Sequence, residues 1–126
     1  MSTDNKAIVL EFYQKLLLDR NVAAAFEQHG GSYYRQHNPL VADGQDGVDQ
    51  FVAWIATNQP NATATLKRVF VDGDFVILHS HWKSLFGSER GEAVVDIFRV
   101  EDGKVVEHWD VIQPIPETSA NGNTMF

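Results

Sequence analysis

The sequence predicts an α+β fold, with helices packed on one face of an antiparallel sheet. Apolar residues at helical spacing fill three stretches of the first half of the chain. Strand-like stretches fill the second half. Asp72-Gly73-Asp74 and Glu101-Asp102-Gly103-Lys104 punctuate them as hairpin turns. The length of 126 residues suits one domain, residues 1–126, with a core of its own.

The first helix is expected over residues 3–19, where Ile8, Val9, Phe12, Leu16 and Leu17 form one apolar stripe beside Tyr13. Ser2 or Thr3 can cap it, and Asp4 suits its positive end. A second, short helix follows Asn21, carries Val22, Ala25 and Phe26, and stops at Gly30-Gly31. Residues 32–47 lack periodicity and are expected to be irregular: Pro39 drives Asn38 out of the helical region, and Asp-Gly pairs mark turns. Asp46 is expected to cap a third helix that points Val48, Phe51, Val52 and Ile55 inward. Four strands follow at about 63–72, 75–85, 92–100 and 105–112, with a loop at 87–91 and a polar tail over 114–126 whose last ~10 residues are expected to be loose.

Composition excludes several classes. The net charge is −7 and the ten Lys and Arg residues are scattered, so there is no electrostatic surface for nucleic acid. Without cysteine there is no disulfide, thiolate metal site or thiol nucleophile. Residues 1–6 lack the pattern of a signal peptide, and no apolar run approaches the roughly 20 residues of a membrane helix. A cytoplasmic protein without membrane or nucleic-acid partners is the expectation. No phosphate-binding loop, dinucleotide fingerprint or Gly-x-Ser-x-Gly elbow occurs.

Strand side chains alternate in direction, which sorts the polar residues of the second half. His79 and His81 share a face with Ile77; Asp96 shares one with Val94 and Phe98. Val106, His108 and Asp110 share another, with Glu107, Trp109 and Val111 opposite. A two-residue turn at Asp102-Gly103 sets Asp96 against a residue between Glu107 and Trp109, and a one-residue slip would change the partner. Carboxylates and imidazoles in an apolar setting survive as hydrogen-bonded groups or in a solvated pocket, and either condition suits acid–base chemistry.

Residues 34–39 (Tyr-Arg-Gln-His-Asn-Pro), the helix start at Asp46-Gly47, the His79-Ser80-His81 strand and the run from Asp96 to Asp110 resemble the SnoaL-like polyketide cyclases of the nuclear-transport-factor-2-like superfamily. The resemblance spans residues 8–113 and is most specific in the closing run. It implies a cystatin-like cone, with about three helices on the concave face of a curved sheet. It also implies a pocket open at one end and a homodimer joined through the convex face. Family cyclases use an aspartate of the last strands as acid or base in aldol chemistry. Asp110 best matches that position and Asp96 comes next. The histidines exceed what a minimal cyclase requires.

The catalytic candidates are therefore Asp110, His108 and Asp96. A salt-bridged strand end, a dimer contact or an anchor for backbone amides is the plainer alternative for these groups. Substrate-binding candidates are His37, Asn38 and Tyr34 from the irregular segment, His79 and His81, and Trp54 if the third helix covers the mouth. His79-x-His81, with His37 or His108, also has the spacing of a metal site, against which stands simple pocket lining. Tyr33, Phe12, Phe51, Phe70, Phe75 and Phe98 are expected in the core or pocket wall, His29 on the surface, and Trp109 at a dimer interface. The leading expectation is an enzyme without metal or organic cofactor that moves protons on a small, largely apolar carbonyl compound. A non-catalytic binding or assembly module is the alternative, and a histidine-dependent metal enzyme a lesser one.

Overall fold

The computed structural model describes residues 4–126. Ser2 and Thr3, the expected caps, lie outside the described residues. Asp4 caps helix α1 (Asn5–Tyr13), its side chain accepting from the Ala7 amide at 3.1 Å. The helix then widens into one π turn, Gln14–Leu18, in which the Asp19 amide reaches the Gln14 carbonyl at 2.8 Å. Such wide turns recur near functional sites; here the neighbours Leu16 and Leu17 both reach the pocket described below.

Helix α2 (Val22–His29) starts at Asn21, whose side chain accepts from the Ala24 amide, and ends at Gly30. Helix α3 (Gly44–Asn58) begins earlier than Asp46 suggests: Asp43 is its N-cap, and Asp46 sits in the first turn. The Asp43 carboxylate accepts from the Gln36 amide at 2.7 Å instead of closing the helix end. Val48, Val52 and Ile55 are buried as expected.

The sheet has five strands where four were expected. They are β1 (Gly30–Gln36), β2 (Thr63–Asp72), β3 (Phe75–Lys83), β4 (Glu92–Glu101) and β5 (Lys104–Pro114), in the order β1-β5-β4-β3-β2. The extra strand, β1, occupies part of the segment expected to be irregular and runs parallel to β5, whereas the other pairs are antiparallel. Its sequence, Gly-Gly-Ser-Tyr-Tyr-Arg-Gln, has no apolar alternation. It is recruited by an edge far along the chain rather than by local propensity.

The hairpin joining β4 and β5 turns through Asp102 and Gly103, both with positive φ (52° and 77°). Val100 pairs with Val105, but Arg99 pairs with Glu107, so Val106 is an extra residue, a β-bulge. The bulge exchanges the faces of β5. Val105 faces the helices, and beyond the bulge His108, Asp110 and Ile112 do so, opposite Phe98, Asp96 and Val94. A plain hairpin would have set Asp96 against Trp109; the bulge sets it against Asp110.

The helices cover one face of this curved, open sheet, with Val9, Phe12, Leu16, Val52 and Ile55 packed against Val76, Leu78, Phe98, Val100 and Val105. The other face carries exposed Phe70, Phe75, Val95 and Val111, which corrects the expectation that Phe70 and Phe75 are core. Tyr33 is also exposed, its hydroxyl bonded to Arg99 and Glu101. The tail folds back over the open face, where Phe126 lies 4.6 Å from the His81 ring and 5.4 Å from the His79 ring. Among the described residues no helix is long and apolar enough to cross a membrane.

Candidate functional site

Between the helices and the concave face lies a hollow of ≈ 540 Å³, its mouth included. Its walls are apolar: Leu16 and Leu17 from the π turn, Val48 and Phe51 from α3, Trp82 and Leu85, and Val94, Phe98 and Ile112 from the sheet. The walls stand close together, so a water molecule can be centred in only ≈ 40 Å³ of the hollow. The polar groups reaching it are Tyr34, Gln36, Asn38, Asp96, His108 and Asp110.

His108 is the hub. Phe98 (4.6 Å) and Tyr34 (6.5 Å, nearly parallel) flank its ring. Its Nδ1 lies 2.8 Å from Gln36 Oε1, and its Nε2 lies 2.8 Å from Asp96 Oδ1. The Gln36 oxygen also accepts the His37 and Asn38 backbone amides at 3.1 and 3.0 Å, which fixes it as the carbonyl end of the side chain. An oxygen only accepts, so His108 Nδ1 carries a proton. The 2.8 Å contact on the other side then holds one further proton, shared between Nε2 and Asp96. The second oxygen of Asp96 is buried without a partner among the described residues, so any group entering there would meet an unspent acceptor.

Asp110 stands across the strand pair from Asp96, its Oδ2 3.9 Å from His108 Nε2. That oxygen accepts from Asn38 Nδ2 at 3.1 Å. Asn38 is itself oriented, because its Oδ1 takes the Leu40 amide at 2.8 Å. Burial pushes the Asp110 carboxyl above the ordinary aspartate range; His108 opposes the rise, Asp96 adds to it, and the Asn38 bond opposes it. Burial, followed by the charges of Asp96 and Asp110, holds the Tyr34 hydroxyl well above its ordinary value, so it stays a proton donor. Asp96, His108 and Asp110 bring one ligating atom each within 4.8 Å of one another, a donor set that suits a divalent cation as well as a shared proton.

The structure thus brings together Asp110, His108, Asp96, Asn38 and Tyr34, and separates four other candidates from them. His79 and His81 lie on the opposite face, because Val76, Leu78, Ser80 and Trp82 are the buried set of β3. There His79 contacts Arg68, and His81 Nε2 is 3.0 Å from the Arg90 carbonyl. His37 also faces away, stacked on Trp109 at 4.7 Å with its Nε2 2.7 Å from Glu107. Among the described residues, the one group whose ligating atoms come close enough to hold a metal is Asp96, His108 and Asp110, so a site built on His79, His81 and His37 or His108 is not assembled. Trp54 lies outside the hollow, 40% exposed between Phe51 and Phe86; Phe51 takes the wall position instead.

Two functional groups escape sequence reasoning. Gln36 reaches His108 only through β1, whose register sets Gln36 beside His108. Glu92 is fully buried, and its carboxylate accepts the Leu85 and Phe86 amides at 3.1 Å each, pinning the loop that lends Leu85 to the pocket wall. Nothing in the sequence marks Glu92 as buried, since it opens one expected strand and Leu85 closes another. Deeper in, Trp82 Nε1 donates to the Tyr13 hydroxyl at 2.9 Å, and that hydroxyl lies 3.4 Å from Ser80.

A model of the SnoaL-like domain matches residues 9–108. Among solved structures, TsrD from Streptomyces laurentii superposes with a TM-score of 0.71 at 20% identity, covering 89% of this chain and 90% of that one. A candidate polyketide cyclase from Acidithiobacillus ferrooxidans gives 0.68 at 17% identity, covering 89% and 91%. A candidate isomerase of the SnoaL-like family from Agrobacterium tumefaciens gives 0.70 at 15% identity, covering 89% and 99%. At these identities the likeness is one of fold. No curated protein matches the sequence.

Proposed function

The chain belongs to the SnoaL-like domain family, and from that premise we propose that it is a cofactor-independent acid–base enzyme acting on a small, largely apolar carbonyl compound. The observation that carries this reading is the pairing of a partly buried, partnered carboxylate, Asp110, with the proton shared by His108 and Asp96 in one apolar hollow. Asp110 takes a proton from the carbon next to the carbonyl. The electron pair of that C–H bond moves to the carbonyl oxygen, giving an enolate. Tyr34 lines the same hollow, and its hydroxyl donates to the developing oxyanion. The enolate carbon then takes a proton back (isomerisation), expels a leaving hydroxyl (dehydration), or attacks a second carbonyl (aldol closure). In the last two cases the His108–Asp96 pair supplies the proton that the departing or newly formed oxygen needs.

Transfer of deuterium from D2O into acetone and acetophenone, followed by NMR, tests the reaction class. Wild type should exchange the α-protons, and Asp110→Asn should lose at least ~100-fold of that rate with an unchanged circular dichroism spectrum. An Asn variant exchanging at the wild-type rate refutes the assignment of the base. Binding without exchange in wild type favours the non-catalytic module.

The exposed apolar residues Phe70, Phe75, Val95 and Val111 support a homodimer through the open face of the sheet. Sedimentation of Val111→Lys should then give monomer where wild type gives dimer.

A further inference from the structure

A second hollow of ≈ 640 Å³, open to solvent, lies against the outer side of the pocket wall. It is lined by Leu40, Ala42, Gly47, Phe51, Trp54 and Phe86, with Gln50 as the one polar side chain. Leu40 is 73% exposed, Trp54 40% and Phe86 37%, a concentration of large apolar groups that water alone does not favour. The rings form a continuous shelf, Phe51 to Trp54 at 6.4 Å and Trp54 to Phe86 at 5.8 Å.

The two hollows share a wall. Phe51 lines both; Val41, Val48 and Leu85 face inward while their neighbours Leu40, Gly47 and Phe86 face outward. Gly47 makes the wall thin, since a Cβ there would sit 1.9 Å from the Ala42 carbonyl oxygen. The inner hollow is too narrow for much more than the reacting end of a ligand. Because Phe51 lines both hollows, the remainder of a longer molecule whose carbonyl reaches Asp110 has this apolar rim beside it.

We propose that the Leu40–Trp54–Phe86 shelf is a second subsite, which takes the neutral, apolar distal part of the substrate whose carbonyl end enters the inner pocket; this rests on the function proposed above. The chemistry of the shelf names its occupant. None of its lining side chains is charged, and α3 exposes Asp46 and Asp49 nearby, in a chain of net charge −7. Anionic tails are disfavoured there; hydrocarbon or aryl tails are favoured, because each methylene moved from water onto the shelf gains affinity. The substrate class is thus an elongated ketone with an uncharged hydrophobic extension.

Calorimetric titration of the full chain with 2-ketones from acetone to 2-nonanone tests the subsite, and α-deuterium exchange is read in the same samples. Beyond the length that fills the inner pocket, Kd should tighten roughly two- to fourfold per methylene. In Trp54→Ala and Phe86→Ala this dependence should flatten, cutting the long-to-short affinity ratio by at least ~10-fold, and Trp54→Phe should restore most of it. An identical chain-length dependence in wild type and both alanine variants overturns the subsite. So does a change of oligomeric state in Trp54→Ala, which would make the shelf a contact between copies. Absence of exchange with the chain-length dependence intact counts against the catalytic reading alone and leaves the subsite standing.

Discussion

Replacing Gln36 by Leu takes one oxygen away from three donors: the backbone amides of His37 and Asn38 and the Nδ1–H of His108. The His37 amide also reaches the His108 carbonyl at 3.0 Å, so it keeps a partner. His108 and Asn38 are only 7% and 5% exposed, so water does not readily replace what their donors lose. Two buried donors at about 1–2 kcal/mol each give a loss of roughly 2–4 kcal/mol. For a domain of this length that is on the order of 8–16 °C in Tm. Gln36→Glu keeps the acceptor and should lose much less. Thermal unfolding measures the cost, and long-range ¹H–¹⁵N correlation of the His108 ring reports the proton position. Wild type and Gln36→Glu should carry the proton on Nδ1, whereas Gln36→Leu should shift population to the other tautomer. A Leu variant with unchanged Tm and an unchanged His108 spectrum would refute the idea that this oxygen orients the ring.

Further outcomes follow from the same geometry. The folded state raises the Asp110 carboxyl above its unfolded value, so ionising it costs stability as pH rises through the folded value, while below the ordinary value near 3.9 the cost vanishes. Asp110→Asn should therefore gain stability relative to wild type between those two values and above, with no gain at pH 3; denaturant titrations across pH check this, and a constant difference contradicts it. The acid limb of α-exchange should lie at higher pH than an ordinary aspartate would give. Glu92→Ala strands the Leu85 and Phe86 amides and should cost about 2–5 kcal/mol, with faster hydrogen exchange at those two amides than elsewhere in β4; uniform acceleration would argue against a local anchor. The paired change His79→Ala/His81→Ala should leave α-exchange at the wild-type rate, since both rings lie across the sheet from the pocket, and a tenfold loss would return them to the site.

The sequence disclosed the helices, four strands and both hairpin turns because each is written locally, in apolar spacing and Asp-Gly turns. Strand β1 was not legible: its partner for Gln36, His108, is 72 residues away, and nothing in Gly-Gly-Ser-Tyr-Tyr-Arg-Gln announces an edge strand. That omission hid Gln36 and misplaced His37, because the register along β5 decides which of these neighbours looks inward. His79 and His81 were drawn toward the pocket by their chemistry. Ser80 interrupts the apolar set Val76, Leu78 and Trp82 and masks which face of β3 is buried; the Tyr13 hydroxyl within reach of Ser80 makes its burial tolerable. His108 and Asp110 were correctly paired with each other by alternation. Their position opposite Phe98 and Asp96 needed the bulge, which no local pattern records.

The additional residue at Val106 gives the chemistry of β5 an unusual dependence on arithmetic rather than identity. Exchange of Val106 for another small β-branched residue perturbs a contact, chiefly with the backbone at Gly31, where even a methyl group would come within 2.5 Å of the valine. Excision of one residue between Lys104 and Glu107 would do something different in kind. It would rotate the imidazole and the carboxylate to the far side of the sheet and bring Trp109 to the pocket side. The end of the hairpin can therefore change in residue type, but only changes that preserve the count leave the inner chamber with its imidazole and its carboxylate.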